Sequence, residues 1–185
     1  IYKKLTSNDG TVKYLFSLSD GNIVEGVVMT YKYGKTQCVS TQVGCRMGCR
    51  FCASAIAGFV RNLTPSEMLL QIMECERDLG ERVSNVVLMG MGEPLDNTDE
   101  VLKALRLLTD AGTLAWSPRR ITLSTVGVKG NLKRFLDESD CHLAISLHAP
   151  TPQLRSELMP AERIYSVTEM VELLKGYDFS GQRRL

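Results

Sequence analysis

The 185-residue sequence has few histidines, almost no net charge and no long apolar segment. Its two histidines, His142 and His148, lie far from the clustered cysteines, which argues against the mixed cysteine and histidine ligand sets of common zinc sites. No leader peptide and no run of about eighteen apolar residues is visible, so we expect a cytoplasmic protein without a membrane span. A net charge of +1 is low for a protein that binds nucleic acid through phosphate contacts.

Three of the six cysteines, Cys45, Cys49 and Cys52, follow one another at Cys-x3-Cys-x2-Cys spacing. Thiolates are soft ligands that favour iron-sulfur clusters. Four thiolates leave a 4Fe-4S cluster closed, whereas three leave one iron open to a substrate, so the triplet predicts a catalytic cluster. Two alternatives stay open at this point: core cysteines that lie together by chance, and a zinc site completed by Cys38.

From residue 36 onward, short β-rich runs alternate with capped helical segments, which is typical of β/α units around a parallel sheet. Thr64-Pro65 followed by Glu67 predicts a helix that begins with a capping box. Two further helices are predicted to begin at Asn97 and Ser166. The predicted strands are short and rich in Val, Ile and Leu: residues 84–89, 120–124 and 142–147.

The first 35 residues follow a different pattern. Two alternating runs on either side of Ser19-Asp20-Gly21-Asn22 predict an antiparallel hairpin packed beside the sheet. We therefore predict a β-hairpin extension at 1–35 and an incomplete α/β barrel at 36–185. In such barrels, ligands bind at the carboxyl ends of the strands. Four predicted strand ends should share one rim: the cysteine loop, Gly90–Pro94, Ser124 and Ser146–His148.

Four segments carry a more specific signal than the cysteine spacing alone. They are Cys38–Cys45, Gly58–Leu63, Gly90-Met91-Gly92-Glu93-Pro94 and Ile145–Pro150. Together with the triplet, they make the sequence resemble the radical S-adenosylmethionine (SAM) enzymes from about residue 20 to its end. Within those enzymes it resembles the bacterial dual-specificity methyltransferases of adenine carbon 2 in 23S rRNA and tRNA. The resemblance implies an α/β fold, a partial radical SAM barrel with parallel strands.

The resemblance also implies cofactors and partners. A 4Fe-4S cluster would be held by Cys45, Cys49 and Cys52. SAM would contact a larger set of residues on the rim: Gly92, Glu93, Ser124, Ser146, Leu147 and His148. A carboxylate or backbone acceptor at position 93 would hold the α-ammonium group of SAM. The implied partners are 23S rRNA, tRNA and an electron donor such as flavodoxin, with the protein a monomer.

The resemblance makes Cys38 and Glu25 the catalytic candidates. A methyl group would reach RNA on a second, methylated cysteine, and Cys38 would release the adduct by forming a disulfide with it. Glu25 would act as general base. No cysteine follows Cys141, so the methyl carrier would lie beyond Leu185. Since the sequence also lacks an initiator Met and closes with residues typical of a strand start at 181–185, we expect a piece of a longer protein that cannot complete turnover alone.

Other interpretations of these residues stay open. Without the resemblance, Cys38 would be an inert core residue and Glu25 a polar position on the outer face of the hairpin. Cys75 and Cys141 are predicted to be core. The nearest alternative function is that of the sister branch, which methylates carbon 8 of the same adenine. A non-catalytic metal-binding RNA module, colourless with zinc, is an alternative of a different class.

Overall fold

The computed structural model describes residues 1–181 and 183–185. The strands are β1 (Lys3–Thr6), β2 (Val12–Ser17), β3 (Ile23–Tyr31), β4 (Gly34–Cys38), β5 (Gln42–Gly44), β6 (Phe59–Asn62), β7 (Asn85–Leu88), β8 (Ile121–Thr125) and β9 (His142–Ile145). The helices are α1 (Ala53–Ile56), α2 (Pro65–Leu79), α3 (Thr98–Thr109), α4 (Asn131–Glu138), α5 (Pro152–Leu158) and α6 (Val167–Leu174). Short 3-10 turns lie at Pro94–Asn97, Pro118–Arg120 and Pro160–Arg163.

One sheet dominates the fold, with the strand order β1-β2-β3-β4-β7-β8-β9. Strands β4, β7, β8 and β9 pair in parallel, and helices connect β7 to β8 and β8 to β9. These parallel strands confirm the predicted mixed α/β fold. A separate two-stranded ribbon, β5 with β6, flanks the cysteine loop.

Alternation along the strands separates two faces of the main sheet. Val86, Leu88, Ile121 and Leu123 are buried in the core, together with the inner sides of the helices. The residues between them lie on the opposite, more open face, because successive side chains of a strand point to opposite sides. That open face ends at the carboxyl ends of the parallel strands, where ligands of such sheets bind.

The extension is not the single hairpin that the sequence predicts. Strands β1, β2 and β3 form an antiparallel meander, and β3 pairs antiparallel with β4 over Val27–Tyr31. The segment therefore adds three strands to the edge of the main sheet instead of packing beside it. Val12, Phe16 and Val24 share one apolar cluster with residues of the parallel strands. A domain boundary near residue 35 stays a prediction.

Two of the three predicted helix starts have the predicted cap. Thr64 and Ser166 each accept a hydrogen bond from the third helical N–H and complete a capping box. Asn97 precedes α3 without capping it: its side-chain amide donates to the carbonyls of Thr41 and Leu63, both at 2.9 Å. The side chain thus joins the cysteine-bearing segment to α3.

The predicted strand start at 181–185 includes Gln182, which lies outside the described residues. Next to it, the carbonyl of Arg184 accepts a hydrogen bond from Leu143 N–H of β9 at 3.0 Å. Among the described residues, no helix combines the length and the apolar character that crossing a membrane requires.

Candidate functional site

The cysteine loop follows β5 and leads into α1. Cys45 and Cys49 are buried and Cys52 is half-buried, and all six cysteines are free thiols. The N–H of Cys45 donates to the carbonyl of Gly58 at 3.1 Å, and that of Cys52 donates to the carbonyl of Cys49 at 3.1 Å. These bonds fold the loop back on itself, so that all three thiols line one cavity of about 340 Å³.

Burial favours the protonated form of two of these thiols, those of Cys45 and Cys49. It raises the pKa of Cys45 to about 11, and the Glu93 carboxylate acts in the same direction. The pKa of Cys49 is raised by burial and by the neighbouring Cys52 and Glu93. Binding of a metal centre would therefore release protons from the loop, since the thiolate is the ligand.

The arrangement of the thiols fits a cluster better than a single ion. Within residues 1–181 and 183–185, no three His, Cys, Asp or Glu side chains are placed to hold one metal ion. A zinc ion needs its ligands around a single point, whereas a 4Fe-4S cluster takes each thiolate at a different iron. Cys38, the fourth ligand of the zinc alternative, does not line the cavity of the other three. The geometry gives the zinc module no support.

The loop Gly90–Pro94 forms the wall of the cavity that faces the cysteines. It lies against the segment between β4 and β5: Met91 N–H donates to Ser40 Oγ and Glu93 N–H to Gln42 Oε1, both at 2.8 Å. Gly92 has φ +99°, and an added β-carbon there would lie 2.5 Å from Gln42 Cβ. A β-carbon at Gly90 would lie 2.8 Å from Ser40 N and Val39 C. Both glycines are required because the two loops are in direct contact.

Glu93 is only 3% exposed, and its carboxylate is engaged within the protein. It accepts hydrogen bonds from Leu95 N–H at 3.0 Å, from Val126 N–H at 2.9 Å and from the Thr125 hydroxyl. Desolvation raises its pKa to about 6, and these donors oppose the rise. The carboxylate oxygens thus join the β7 loop to the end of β8, and the expectation that this carboxylate or a backbone acceptor beside it holds the SAM ammonium stays a prediction.

The ends of β8 and β9 complete the cavity. Ser124 and Ser146 both line it, and their hydroxyl oxygens are 3.4 Å apart. His148 also lines it, at φ 55°, a left-handed conformation uncommon outside glycine. Its ring centroid lies 4.9 Å from that of Phe51 in the cysteine loop. Leu147 differs from the other predicted SAM contacts: it is 49% exposed and does not line the cavity.

Cys38 and Glu25 lie outside that cavity but on the same face of the sheet as Ser124. Cys38 is paired with Val27 of β3 and Val87 of β7, and Glu25 lies two residues before Val27. Paired residues and residues two apart share a face, and the same rule connects Val87 to Ser124. Glu25 therefore lies on the face of the sheet that carries Ser124, and its role as general base stays a prediction.

These two side chains have different surroundings. Burial raises the pKa of Cys38 to about 11, opposed by the N–H of Met89. Glu25 is half-exposed, and its carboxylate lies 2.8 Å from Lys13 Nζ of the neighbouring strand. Cys75 and Cys141 are fully buried, in agreement with their predicted core positions.

Three polar residues of the site were not singled out from the sequence, although Gln42 stands in the Cys38–Cys45 segment that carries the resemblance. Gln42 donates to Asn62 Oδ1 and Asp96 Oδ2, both at 2.8 Å, besides accepting from the Glu93 N–H. Arg155 and Glu162 form a buried ion pair behind the cavity. Charged residues on short helices are usually exposed, so only their place in the fold reveals them.

Comparisons with known proteins agree with this geometry. A family model described as Radical SAM superfamily matches residues 39–182. A protein named "Probable dual-specificity RNA methyltransferase RlmN" from Bacteroides fragilis is 57% identical over 183 residues, covering 98% of this chain and 52% of its own length. A protein of the same name from Clostridium botulinum is 52% identical over 187 residues, and the match covers 100% of this chain and 55% of the length of that protein.

A solved structure gives the same result. The crystal structure of a radical SAM methyltransferase from Sphaerobacter thermophilus superposes with a TM-score of 0.89 at 39% identity, covering 95% of this chain and 53% of that one. The chain thus spans about half the length of the relatives it matches. Because the family model matches most of the sequence, the chain belongs to the Radical SAM superfamily.

Proposed function

We propose that this chain belongs to an enzyme that methylates carbon 2 of adenosines in 23S rRNA and tRNA by radical SAM chemistry. One observation carries the proposal: the three thiols of the Cys-x3-Cys-x2-Cys loop share a cavity with the ends of three parallel strands. The RNA substrate is supported by the names of the relatives, which are more than 50% identical to this chain.

In this proposal, Cys45, Cys49 and Cys52 hold a 4Fe-4S cluster with one iron open to SAM. The cluster, when bound, supplies the electron for reductive cleavage of SAM. Gly92 lets the backbone approach the ligand, and the carbonyl of Glu93 is the acceptor for its α-ammonium group. The hydroxyls of Ser124 and Ser146 and the ring of His148 supply the remaining polar contacts. Leu147, whose side chain is exposed and which does not line the cavity, is assigned a backbone contact only.

The wall around the thiols is largely apolar, with Met47, Leu88, Val126 and Met159 among its members. Such a lining excludes water from the ligand and strengthens the electrostatic interactions of its polar groups.

Cys38 and Glu25 are proposed to finish the reaction on the same face of the sheet. The Cys38 thiol must first lose the proton that burial retains. Its thiolate would then attack the sulfur that carries the RNA adduct: the S–S bond forms, the bond from that sulfur to the methylene carbon breaks, and the electron pair goes to the methylene carbon, which takes up a proton and becomes the methyl group of the adenine. Glu25 would remove the proton from the adenine after exchanging its contact with Lys13 Nζ. This scheme also needs a methyl-carrying cysteine, and none of the residues after Cys141 is a cysteine. An electron donor such as flavodoxin completes the proposed partners.

The test is genetic, because it uses the protein as the cell makes it. The gene is deleted, and adenosine methylation of 23S rRNA and tRNA is mapped by mass spectrometry. We expect 2-methyladenosine to be lost, and to return with the wild-type gene or a Cys141→Ala variant but not with Cys49→Ala. Loss of 8-methyladenosine instead would assign the protein to the carbon-8 branch. Unchanged methylation would refute the proposed activity.

A further inference from the structure

The buried pair of Arg155 and Glu162 lies directly behind the cavity and belongs neither to the cysteine triplet nor to the other sequence motifs of the site. Arg155 is fully buried on α5, and Glu162 is 5% exposed in the 3-10 turn that follows. The two side chains form an ion pair, and Glu162 also accepts the N–H of Val167 at the start of α6. Burying both charges is costly unless their remaining hydrogen-bonding groups find partners.

The partners that Arg155 finds are backbone carbonyls of the cavity wall. Its guanidinium donates to the carbonyl of Ser146 through Nη2 at 2.9 Å and Nε at 3.3 Å. It also donates to the carbonyl of Val126 through Nη2 at 2.7 Å. One planar group therefore holds the ends of β8 and β9 in a fixed relation, which its rigid fork of donors suits well.

Val126 is held from both sides by opposite charges. Its N–H donates to the Glu93 carboxylate at 2.9 Å, and its carbonyl accepts from Arg155. Ser146 is held in a similar way: its N–H donates to the carbonyl of Thr125 at 2.8 Å, and its carbonyl accepts from Arg155. Three loops that line the cavity are thus connected through buried hydrogen bonds.

The same segment supports the cysteine loop. The carbonyl of Leu158, at the end of α5, accepts the N–H of Arg50 at 2.9 Å. Met159 and Ala161 then pack with Cys49 and Val126 in a small apolar cluster. A shift of α5 would consequently move the strand ends and the cysteine loop together.

We propose that Arg155, paired with Glu162, is a positioning residue that sets the distance between the cysteine loop and the ends of β8 and β9. The cavity is then formed before a ligand enters, which lowers the cost of ordering on binding. The proposal deepens the proposed function, because its ligand-binding consequence rests on SAM occupying this cavity. Its structural consequence is independent of any ligand.

The first experiment is amide hydrogen exchange on the metal-free protein carrying Arg155→Lys, which keeps the charge but loses the fork. We expect protection of the Val126, Ser146 and Arg50 amides to fall about 10- to 100-fold, as for loss of hydrogen bonds to a charged group. The Ser84 amide, bonded to Lys35 O far from α5, should change less than about threefold. Equal loss at all four amides, or no loss, would overturn the proposal.

The second experiment measures SAM affinity in the iron-reconstituted protein. Arg155→Lys should bind SAM about 10- to 100-fold more weakly at unchanged iron content. The control is Leu132→Ala, at a fully buried position on α4 that does not line the cavity, so that this substitution lowers stability from outside the site. If SAM affinity falls as much in Leu132→Ala as in Arg155→Lys, the effect of Arg155 on binding comes from stability alone, and the proposed positioning role is wrong. If the wild type does not bind SAM, the proposed function fails, while hydrogen exchange still decides on positioning.

A further variant covers the case in which Arg155→Lys does not fold. Arg155→Met combined with Glu162→Met removes both charges and keeps the volume, and such apolar replacements of buried pairs commonly fold. The two strand ends should again lose protection, because no donor reaches the carbonyls of Val126 and Ser146. Wild-type protection in this double variant would show that packing alone sets the wall.

Discussion

Glu93 ionises inside the protein, and this makes the stability of the site depend on pH. Its pKa is raised by desolvation from 4.5 to about 6. A raised folded-state pKa stabilises the folded form while the group is protonated, fully below pH 4.5, and this contribution is lost as the pH rises through about 6. The protonation of Glu93 thus contributes about 2 kcal/mol to the free energy of unfolding at low pH.

We predict that Glu93→Gln removes this pH dependence. The free energy of unfolding of the metal-free wild type, measured in urea, should fall relative to that of the variant by about 2 kcal/mol between pH 4 and pH 7. Taking the difference cancels the other groups that titrate in this range. Glu169→Gln, at an exposed carboxylate whose pKa is lowered, serves as the control and should show the opposite slope. Parallel curves for wild type and Glu93→Gln would contradict the prediction.

The cysteine triplet is the second feature that single substitutions test. Replacing Cys45, Cys49 or Cys52 by alanine should abolish iron and sulfide binding after reconstitution, because two thiolates cannot retain the cluster. Cys141→Ala is the matched control, since this buried cysteine lies on the far side of β9 from the cavity. Iron analysis and the brown colour report the result. A Cys49→Ala protein with full iron content would exclude the triplet as the ligand set.

The thiols, the glycine loop and the strand ends were predictable, because each has a recognisable spacing or follows a strand. Arg155, Glu162 and Gln42 were not, since a polar residue in sequence gives no sign of whether tertiary packing buries it. The role of Glu93 was only half predicted: its position on the cavity follows from the loop, but the donors from Thr125 and Val126 come from another strand.

Among the elements, α2 connects the extension to the cysteine-bearing ribbon. Its first turn contains the capping box of Thr64 and Glu67, and Glu67 also binds Arg61 of β6 at 2.7 Å. Arg61 in turn contacts Asp20 in the β2–β3 turn at 2.6 Å. The helix start therefore joins three parts of the chain.

Thr64→Ala should lower the free energy of unfolding by about 1 kcal/mol, because the backbone N–H of Glu67 loses its side-chain acceptor. Ser166→Ala removes the equivalent cap of α6 and should cost a similar amount. The two sites share no partners, so the double variant should show the sum within about 0.5 kcal/mol. Urea denaturation measures the free energy of unfolding of the two single variants and the double variant. Thr64→Ser, which keeps the hydroxyl, should have the wild-type free energy of unfolding.

The elements also show where sequence patterns are insufficient. Helices α2 and α6 follow from their caps and apolar spacing, which are local signals. The meander does not, because β1 is exposed along its whole length and lacks the alternation that predicts a strand. Its pairing with β2 depends on the neighbouring strand, and only the complete sheet provides it.

At the scale of the whole molecule, the extension and the parallel strands share one sheet and one apolar cluster. We therefore expect one cooperative unfolding transition. The single tryptophan, Trp116, packs against this cluster after α3 and reports on the parallel half.

Phe16→Ala in the extension should accordingly shift the urea midpoint of Trp116 fluorescence, at a cost of about 3–5 kcal/mol for the buried ring. Far-ultraviolet circular dichroism should show the same midpoint. Tyr33→Ala, which removes an exposed ring of the extension, is the control and should leave the urea midpoint unchanged. An unshifted fluorescence midpoint with Phe16→Ala would mean that residues 1–35 unfold as a separate domain.

The contact between Gly90 and the preceding loop constrains how this protein can evolve. At Gly26 the nearest obstacle to a side chain is the ring of Phe16 at 2.8 Å, which a smaller residue at position 16 would remove, and the one main-chain atom close by, the carbonyl oxygen of Cys38, lies farther off at 3.3 Å. At Gly90 the obstacles include main-chain atoms of Val39 and Ser40, which no replacement of either residue removes. A substitution of Gly90 therefore requires the backbone of the neighbouring loop to move as well. Single substitutions in that loop cannot make room for a side chain at this wall of the cavity.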